Sequence, residues 1–321
     1  MTLEQGLYTP NGFISRQEIM NKSVRESMLV KKPFIENPAT FDEQFDRLEQ
    51  LQEIQKESSL WKEEMTIEVE TGKFPFFIFR PFSDMHMGAI GTDMKAIRSH
   101  LKDMEEYPVY TALLGDIGDF FNPMKHPEGM MGDAINPDDQ LTLVRAFFKT
   151  YKDNIMCTVQ DPSHMDWIRQ VAGIEPQRYL VEDLGITALK NGGMMNLKVN
   201  DIEYKISLFH QIGKFNSSLN ITNAQKRMLD MHEDADIVIA GHTHIGEVSK
   251  LVKRNKKAVV LQLGTFKTED DFGTRKGLVP RPQVFFPTLF FDGRRKNIEF
   301  IEEREAATEW ISTLAHLNER K

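Results

Sequence analysis

The sequence has almost no cysteine: one residue, Cys157, in 321. An internal disulfide cannot form, which excludes a stapled secreted domain and leads us to expect a reducing compartment such as the cytoplasm. Long apolar runs are missing as well. Nothing approaches the roughly 18 apolar residues of a membrane span, and MTLEQGLYTPNGFISRQ carries no signal-peptide core, so no membrane association is expected. A basic excess is also lacking, since 40 Lys and Arg face 48 Asp and Glu for a formal charge of −8. A nucleic-acid partner would have to be met by a local patch. What remains is an ordinary globular balance, 40% hydrophobic and 27% charged, which excludes a disordered chain.

Residues 1–73 lack buried-strand runs and predict a helical N-terminal extension. Ser15 with Glu18 has capping-box spacing, with Ile14 and Ile19 as a staple, and predicts a helix over about 16–29. Thr40 with Glu43 repeats the signal, followed by Phe41, Phe45, Leu48, Leu51 and Ile54 at helical spacing. Such a helix either packs on the main domain or serves as an arm for a partner.

From residue 74 to 321 the texture is that of one α/β domain. The apolar runs FPFFIFRPF, YTALLGD, NIMCTVQ, YKISLFH, DIVIAGH and AVVLQLG alternate with TDMKAIRSHLKDM, PDDQLTLVRAFFKTY and TNAQKRMLDMHED. Asn136-Pro137 opens the second helical stretch, and Thr222 with Gln225 opens the third. TLFFD and KNIEFIEE read as two strands about Asp292-Gly293, followed by a C-terminal helix.

The unusual residues sit where these strands end. They are Asp84 and His86, then Asp116 and Asp119 in GDIGD, then Asp161-Pro162-Ser163-His164, then His210, then Gly241-His242-Thr243-His244. Strand ends of α/β sheets deliver side chains to a common crevice. Each motif alone is weak, because satisfied histidines and glycine turns are common; their joint occurrence in this order points to a metal site. Carboxylates and imidazoles without cysteine suit Mn²⁺, Fe²⁺ or Zn²⁺. A pair of such ions about 3.5–4 Å apart can hold a phosphate and activate a water.

These motifs resemble the signature of the calcineurin-like metallophosphoesterases: D-x-H, G-D-x-x-D, G-N-H-D or G-N-H-E, a lone His, then G-H-x-H. The resemblance runs from about Phe77 to Phe291. It implies a four-layer αββα sandwich of two mixed sheets. It also implies two divalent metal ions, manganese first, with iron, zinc, nickel or magnesium as alternatives. The implied activity is hydrolysis of phosphodiester or phosphomonoester bonds by a metal-bound hydroxide. GTFKTEDDFGTRKGLVPRP is similar to phosphoesterases of bacteriophages and bacteria, some of them DNA-repair-exonuclease-like. That similarity adds DNA and nucleotides to the implied substrates and, for a phage protein, the host cytoplasm as its location.

Carried over by position, Asp84, His86 and His244 would hold the first ion and His210 and His242 the second, with Asp116 bridging. His164 would contact the phosphoryl group without binding metal, and Asp119 would orient it. The chain departs from the pattern at Asp161-Pro162-Ser163-His164, where the family's Asn ligand is missing. Either Asp161 substitutes, which its anionic oxygen favours, or a water does so through Ser163, or the second site is weak. Lys267, Arg275, Lys276 and Arg281 either clamp phosphates or offset Glu269, Asp270 and Asp271 in a solvated loop. His126 lies in a long loop suited to a lid. The alternative function is a metal-binding scaffold, virion or partner-binding protein with weak turnover.

Overall fold

The computed structural model describes residues 6–9, 12–15, 40–57, 60–121, 124–213, 220–253, 256–269 and 282–319. They fall into two compact units, Met1–Ser59 and Leu60–Lys321. The first contains an antiparallel hairpin, β1 (Gly6–Thr9) with β2 (Gly12–Ser15), and helix α1 (Phe41–Glu57). The expected capping box opens α1: Thr40 N donates to Glu43 Oε2 at 2.7 Å, and Glu43 N donates to Thr40 Oγ1 at 3.3 Å. Phe41, Phe45, Leu48 and Leu51 are all at least half exposed. The helix expected over 16–29 lies outside the described residues, and Ser15, its expected cap, ends β2.

The second unit is mixed α/β. It begins earlier than the sequence suggests, with β3 (Trp61–Val69) inside the expected helical extension. Met65, Ile67 and Val69 alternate with Glu64, Thr66 and Glu68, the pattern of a half-buried strand. A search for continuous apolar runs passes over that pattern.

Next come β4 (Phe76–Phe79), α2 (Met94–Glu106), β5 (Val109–Leu113), α3 (Pro137–Tyr151), β6 (Ile155–Val159), α4 (His164–Ala172) and α5 (Pro176–Leu184). The chain continues through β7 (Ala188–Val199), β8 (Ile202–Phe209), α6 (Asn223–Met231), β9 (Ile237–Ala240), β10 (Glu247–Lys253) and β11 (Lys256–Gln262). It closes with β12 (Thr288–Asp292), β13 (Ile298–Ile301) and α7 (Arg304–Glu319). Among the described residues, no helix is long and apolar enough to cross a membrane.

The helix starts reflect local chemistry. Asn136 caps α3, its side chain accepting from the N–H groups of Asp138 and Asp139, both at 3.0 Å. The box expected from Thr222 and Gln225 does not form, because tertiary partners claim both side chains. Thr222 Oγ1 donates to Glu247 Oε1 at 2.9 Å, and Gln225 pairs with Gln262 at 2.5 Å.

Ten strands hydrogen-bond in the order β10-β11-β9-β8-β7-β6-β5-β4-β12-β13, and β3 pairs in parallel with β7 as the eleventh. β7 is the pivot. Ala188 and Leu189 pair with β6, whereas Gly193–Val199 pair with β8. Between them Asn191 and Gly192 take positive φ, and a Cβ on Gly192 would strike the Phe209 ring. Hydrogen bonding therefore joins all eleven strands into one curled mixed sheet where two sheets are expected. β4, β5 and β6 are parallel neighbours, as are β8 and β9, and Phe79, Leu113, Val159 and Ile239 are fully buried in the core beneath their carboxyl ends.

Candidate metal centre

The loops leaving β4, β5, β6, β8 and β9 converge. Three groups of donors result, each with its atoms within 4.8 Å of one another: Asp84, Asp116, His210 and His242; Asp84, His86 and His244; and His86, Asp116 and His164. Asp84 and Asp116 each belong to two groups. Asp84, His86, Asp116, Asp119, Asp161, His164 and His210 are buried, while His242 and His244 are partly open.

The backbone is bent to achieve this. Asp84, His86, Asp116, His242 and His244 all take positive φ, at 51, 44, 50, 75 and 61°. Each such conformation costs a non-glycine residue about 1–3 kcal/mol and persists only where surrounding contacts hold it. Here they do. Asp84 N donates to the Gly115 carbonyl at 3.1 Å, His86 N to the Asp116 carbonyl at 2.9 Å, and Thr265 Oγ1 to the Asp84 carbonyl at 2.8 Å. His242 N donates to Asp84 Oδ2 at 2.8 Å, which ties the first motif to the last.

The ring nitrogens then sort themselves. His210 Nδ1 lies 2.7 Å from the Leu114 carbonyl, and His86 Nδ1 lies 2.7 Å from Asp119 Oδ1. The Leu114 carbonyl takes the Nδ1 proton of His210, the Asp119 carboxylate stands at ion-pair distance from His86 Nδ1, and both rings turn Nε2 inward. His86 Nε2 faces His244 Nε2 at 3.1 Å, and His210 Nε2 faces His242 Nδ1 at 3.1 Å and Asp116 Oδ2 at 3.2 Å. Asp84 Oδ1 is buried without a hydrogen bond, 3.2 Å from His244 Nε2.

Ring nitrogens and anionic oxygens crowded together fit a cation. Metal–ligand bonds of about 2.0–2.2 Å give donor–donor edges of about 2.8–3.6 Å across octahedral and tetrahedral shells. Oxygen and imidazole donors suit a borderline divalent ion. The titration of the groups reflects the same crowding. Burial disfavours a charged His210 ring, but Asp116, Asp84 and Asp161 outweigh it and push its pKa up to about 10, so a cation would have to displace its Nε2 proton. Burial favours neutral carboxyls, yet the facing imidazoles outweigh it and hold Asp84 and Asp116 below the usual range. Burial and the neighbouring His210 push His242 down to about 4, so it offers a neutral ring.

The supporting residues differ from expectation. Asp119, expected to orient His164, meets its Nδ1 through the backbone carbonyl, with Oδ1 3.9 Å away, while the same carboxylate oxygen lies 2.7 Å from His86 Nδ1. Lys267, expected near a phosphate, is buried with Nζ 3.0 Å from both Asp119 oxygens and 5.0 Å above the Phe121 ring. Arg275, Lys276 and Arg281 lie outside the described residues. Asp161, expected as a ligand, belongs to none of the three groups. Burial and the Asp116 charge push its carboxyl up to about 6. His126 lies near the centre, its ring 4.6 Å from that of Trp167, which itself lies 4.2 Å from the His164 ring at a tilt of 37°.

Sequence reasoning missed the amide scaffolding. Gln140 Oε1 accepts from Asp119 N at 2.9 Å and Phe120 N at 2.7 Å, and Gln177 Oε1 accepts from Asp161 N at 2.7 Å. Both glutamines lie on helices and carry no local signal of this role.

No family model matches the chain, and no curated protein matches it. Among solved structures the chain is similar to Vacuolar Protein Sorting 29 from Cryptosporidium parvum, at 13% identity and a TM-score of 0.37, over 71% of this chain and 98% of that one. It is similar to Entamoeba histolytica Vps29 complexed with zinc, at 12% identity and a TM-score of 0.34, over 70% and 98%. A Thermotoga maritima protein solved by NMR stands at 15% identity and 0.33, over 70% and 99%. Likeness this distant carries no argument about activity.

Proposed function

We propose that the chain is a phosphoesterase of the calcineurin-like kind, hydrolysing phosphodiester or phosphomonoester bonds with two divalent cations. In this reading the two halves of the curled sheet are the two sheets of the family's sandwich. One observation carries it: five loops, three of them held in strained backbone, bring inward imidazole nitrogens and two shared carboxylates into a single cluster. Asp84, His86 and His244 would hold one ion, and Asp116, His210 and His242 the other. Bound there, divalent cations supply Lewis acidity toward a phosphoryl oxygen and lower the pKa of a water.

The chain's own part is positioning and proton transfer. His164 Nδ1 is engaged by the Asp119 carbonyl, so Nε2 is the atom available to the substrate. Burial disfavours the charged ring, but Asp116, Asp119 and Asp161 outweigh it and raise its pKa. In its protonated form His164 would pass the Nε2 proton to a leaving oxygen. The ring contacts from Trp167 and Phe121 hold its plane. Nucleotide and nucleic-acid esters belong to the proposal through the segment that follows β11.

A second reading, a metal-holding scaffold with little turnover, is favoured by Ser163 standing where the family keeps an amide. One assay separates the two. With added Mn²⁺ the protein should hydrolyse a chromogenic phosphodiester, and Asp116→Asn or His242→Ala should lower the rate at least about 100-fold without unfolding the chain. Wild type as inert as both variants, across several divalent metals, would leave the scaffold.

A further inference from the structure

Ser163 is the N-cap of α4, where a serine ordinarily accepts a hydrogen bond from a backbone N–H of the first turn. Here its side chain makes no such bond. The forgone cap costs about 1 kcal/mol, a local rule broken in the way functional sites break them. The hydroxyl turns instead into the cluster. It donates to Asp116 Oδ1 at 2.5 Å and lies 3.3 Å from His210 Nε2. Asp161 stands beside it and accepts from the same hydroxyl, Ser163 Oγ to Asp161 Oδ1 at 3.2 Å. Its Oδ2 accepts from Asp116 N at 3.1 Å, and its Oδ1 accepts from Ser163 N at 2.8 Å. Each of its oxygens thereby accepts from a backbone N–H.

We propose that the Ser163 hydroxyl oxygen, not the Asp161 carboxylate, is the donor this chain adds to Asp116, His210 and His242 around one divalent cation. Asp161 is a positioning residue that holds the loop carrying Ser163 and the backbone of Asp116. The inference rests on the two-ion reading above. The distances of Ser163 Oγ and Asp116 Oδ2 from His210 Nε2, 3.3 and 3.2 Å, fall within the donor–donor edges of about 2.8–3.6 Å expected around such an ion. A neutral hydroxyl is a weaker donor than an amide or carboxylate oxygen, so this ion is the more readily lost of the two.

The test uses the full chain and metal alone. Mn²⁺ stoichiometry and affinity would be measured for wild type, Ser163→Ala, Ser163→Asn, Asp161→Asn and His242→Ala. Ser163→Ala and His242→Ala should weaken the same ion by about tenfold or more. Ser163→Asn should restore it, and Asp161→Asn, which keeps an acceptor oxygen, should retain both ions. Loading Ser163→Cys with Co²⁺ should add a sulfur-to-cobalt charge-transfer absorption over the wild-type spectrum, whereas Asp161→Cys should add none. Two ions bound unchanged by Ser163→Ala, or the absorption appearing with Asp161→Cys and not with Ser163→Cys, would overturn this assignment and leave the metal centre standing. A wild type that takes up no ion would overturn both.

Discussion

Asp119 Oδ1 lies 2.7 Å from His86 Nδ1 while Lys267 Nζ lies 3.0 Å from both oxygens of the same carboxylate. A buried lysine thus holds the carboxylate that holds an imidazole of the cluster. Asp119→Ala should lower affinity for the ion at His86 by about 10–100-fold, read by titration calorimetry with Mn²⁺. Breaking the buried pair should also cost about 3–5 kcal/mol in urea unfolding. Asp119→Asn keeps an acceptor for His86 Nδ1 and should preserve most of the metal affinity.

Gly115 has φ of +103°, and a Cβ there would stand 2.7 Å from His210 Nδ1. Gly115→Ala should push the imidazole off the Leu114 carbonyl. We expect a stability loss of about 1–3 kcal/mol and a drop in metal affinity of about tenfold or more, followed by denaturation midpoints and metal titration. Unchanged affinity would mean that the orientation of His210 does not matter.

Asp133 is half-buried, and burial together with the negative charge of Asp119 pushes its carboxyl up to about 7. In the unfolded chain the carboxyl titrates near about 3.9. Between those values the folded state keeps a proton that the unfolded state has lost, so this group's contribution to stability falls as pH rises from about 4 to 7 and is level above. Asp133→Asn should match wild type near pH 4 and exceed it near pH 8, by about 1 kcal/mol or less because solvent screens the site. Urea midpoints at the two pH values check the sign.

Away from the cluster, Arg80 is fully buried and its guanidinium meets Asp103 at 2.6 Å; Arg304 reaches the other Asp103 oxygen at 2.9 Å. This network joins β4, α2 and α7. Asp103→Ala should destabilise the chain by about 3–5 kcal/mol, because a buried guanidinium loses its counter-charge. Metal affinity measured on the folded fraction should stay at the wild-type value.

The strands and helices that carry the ligands were legible because their signals are local. Apolar runs marked β4, β5, β6, β8, β9 and β11, and Asn136-Pro137 marked the start of α3. β3, β7 and β10 were harder to read. β3 alternates and needs β7 beside it, β7 is interrupted by Asn191-Gly192-Gly193, and β10 is polar enough to pass for a loop. The box at Thr222 failed for a related reason: its partners Glu247 and Gln262 come from distant segments.

By itself the sequence determined which donors exist and the order in which strand ends deliver them, since residue type and spacing are properties of neighbours in the chain. Only the tertiary structure decided that Asp119 serves His86, that Lys267 points inward, and that the Ser163 hydroxyl and the Asp161 carboxylate both meet Asp116. Those pairings join residues 33 to 148 positions apart, and packing between loops, not any local pattern, selects which oxygen meets which nitrogen.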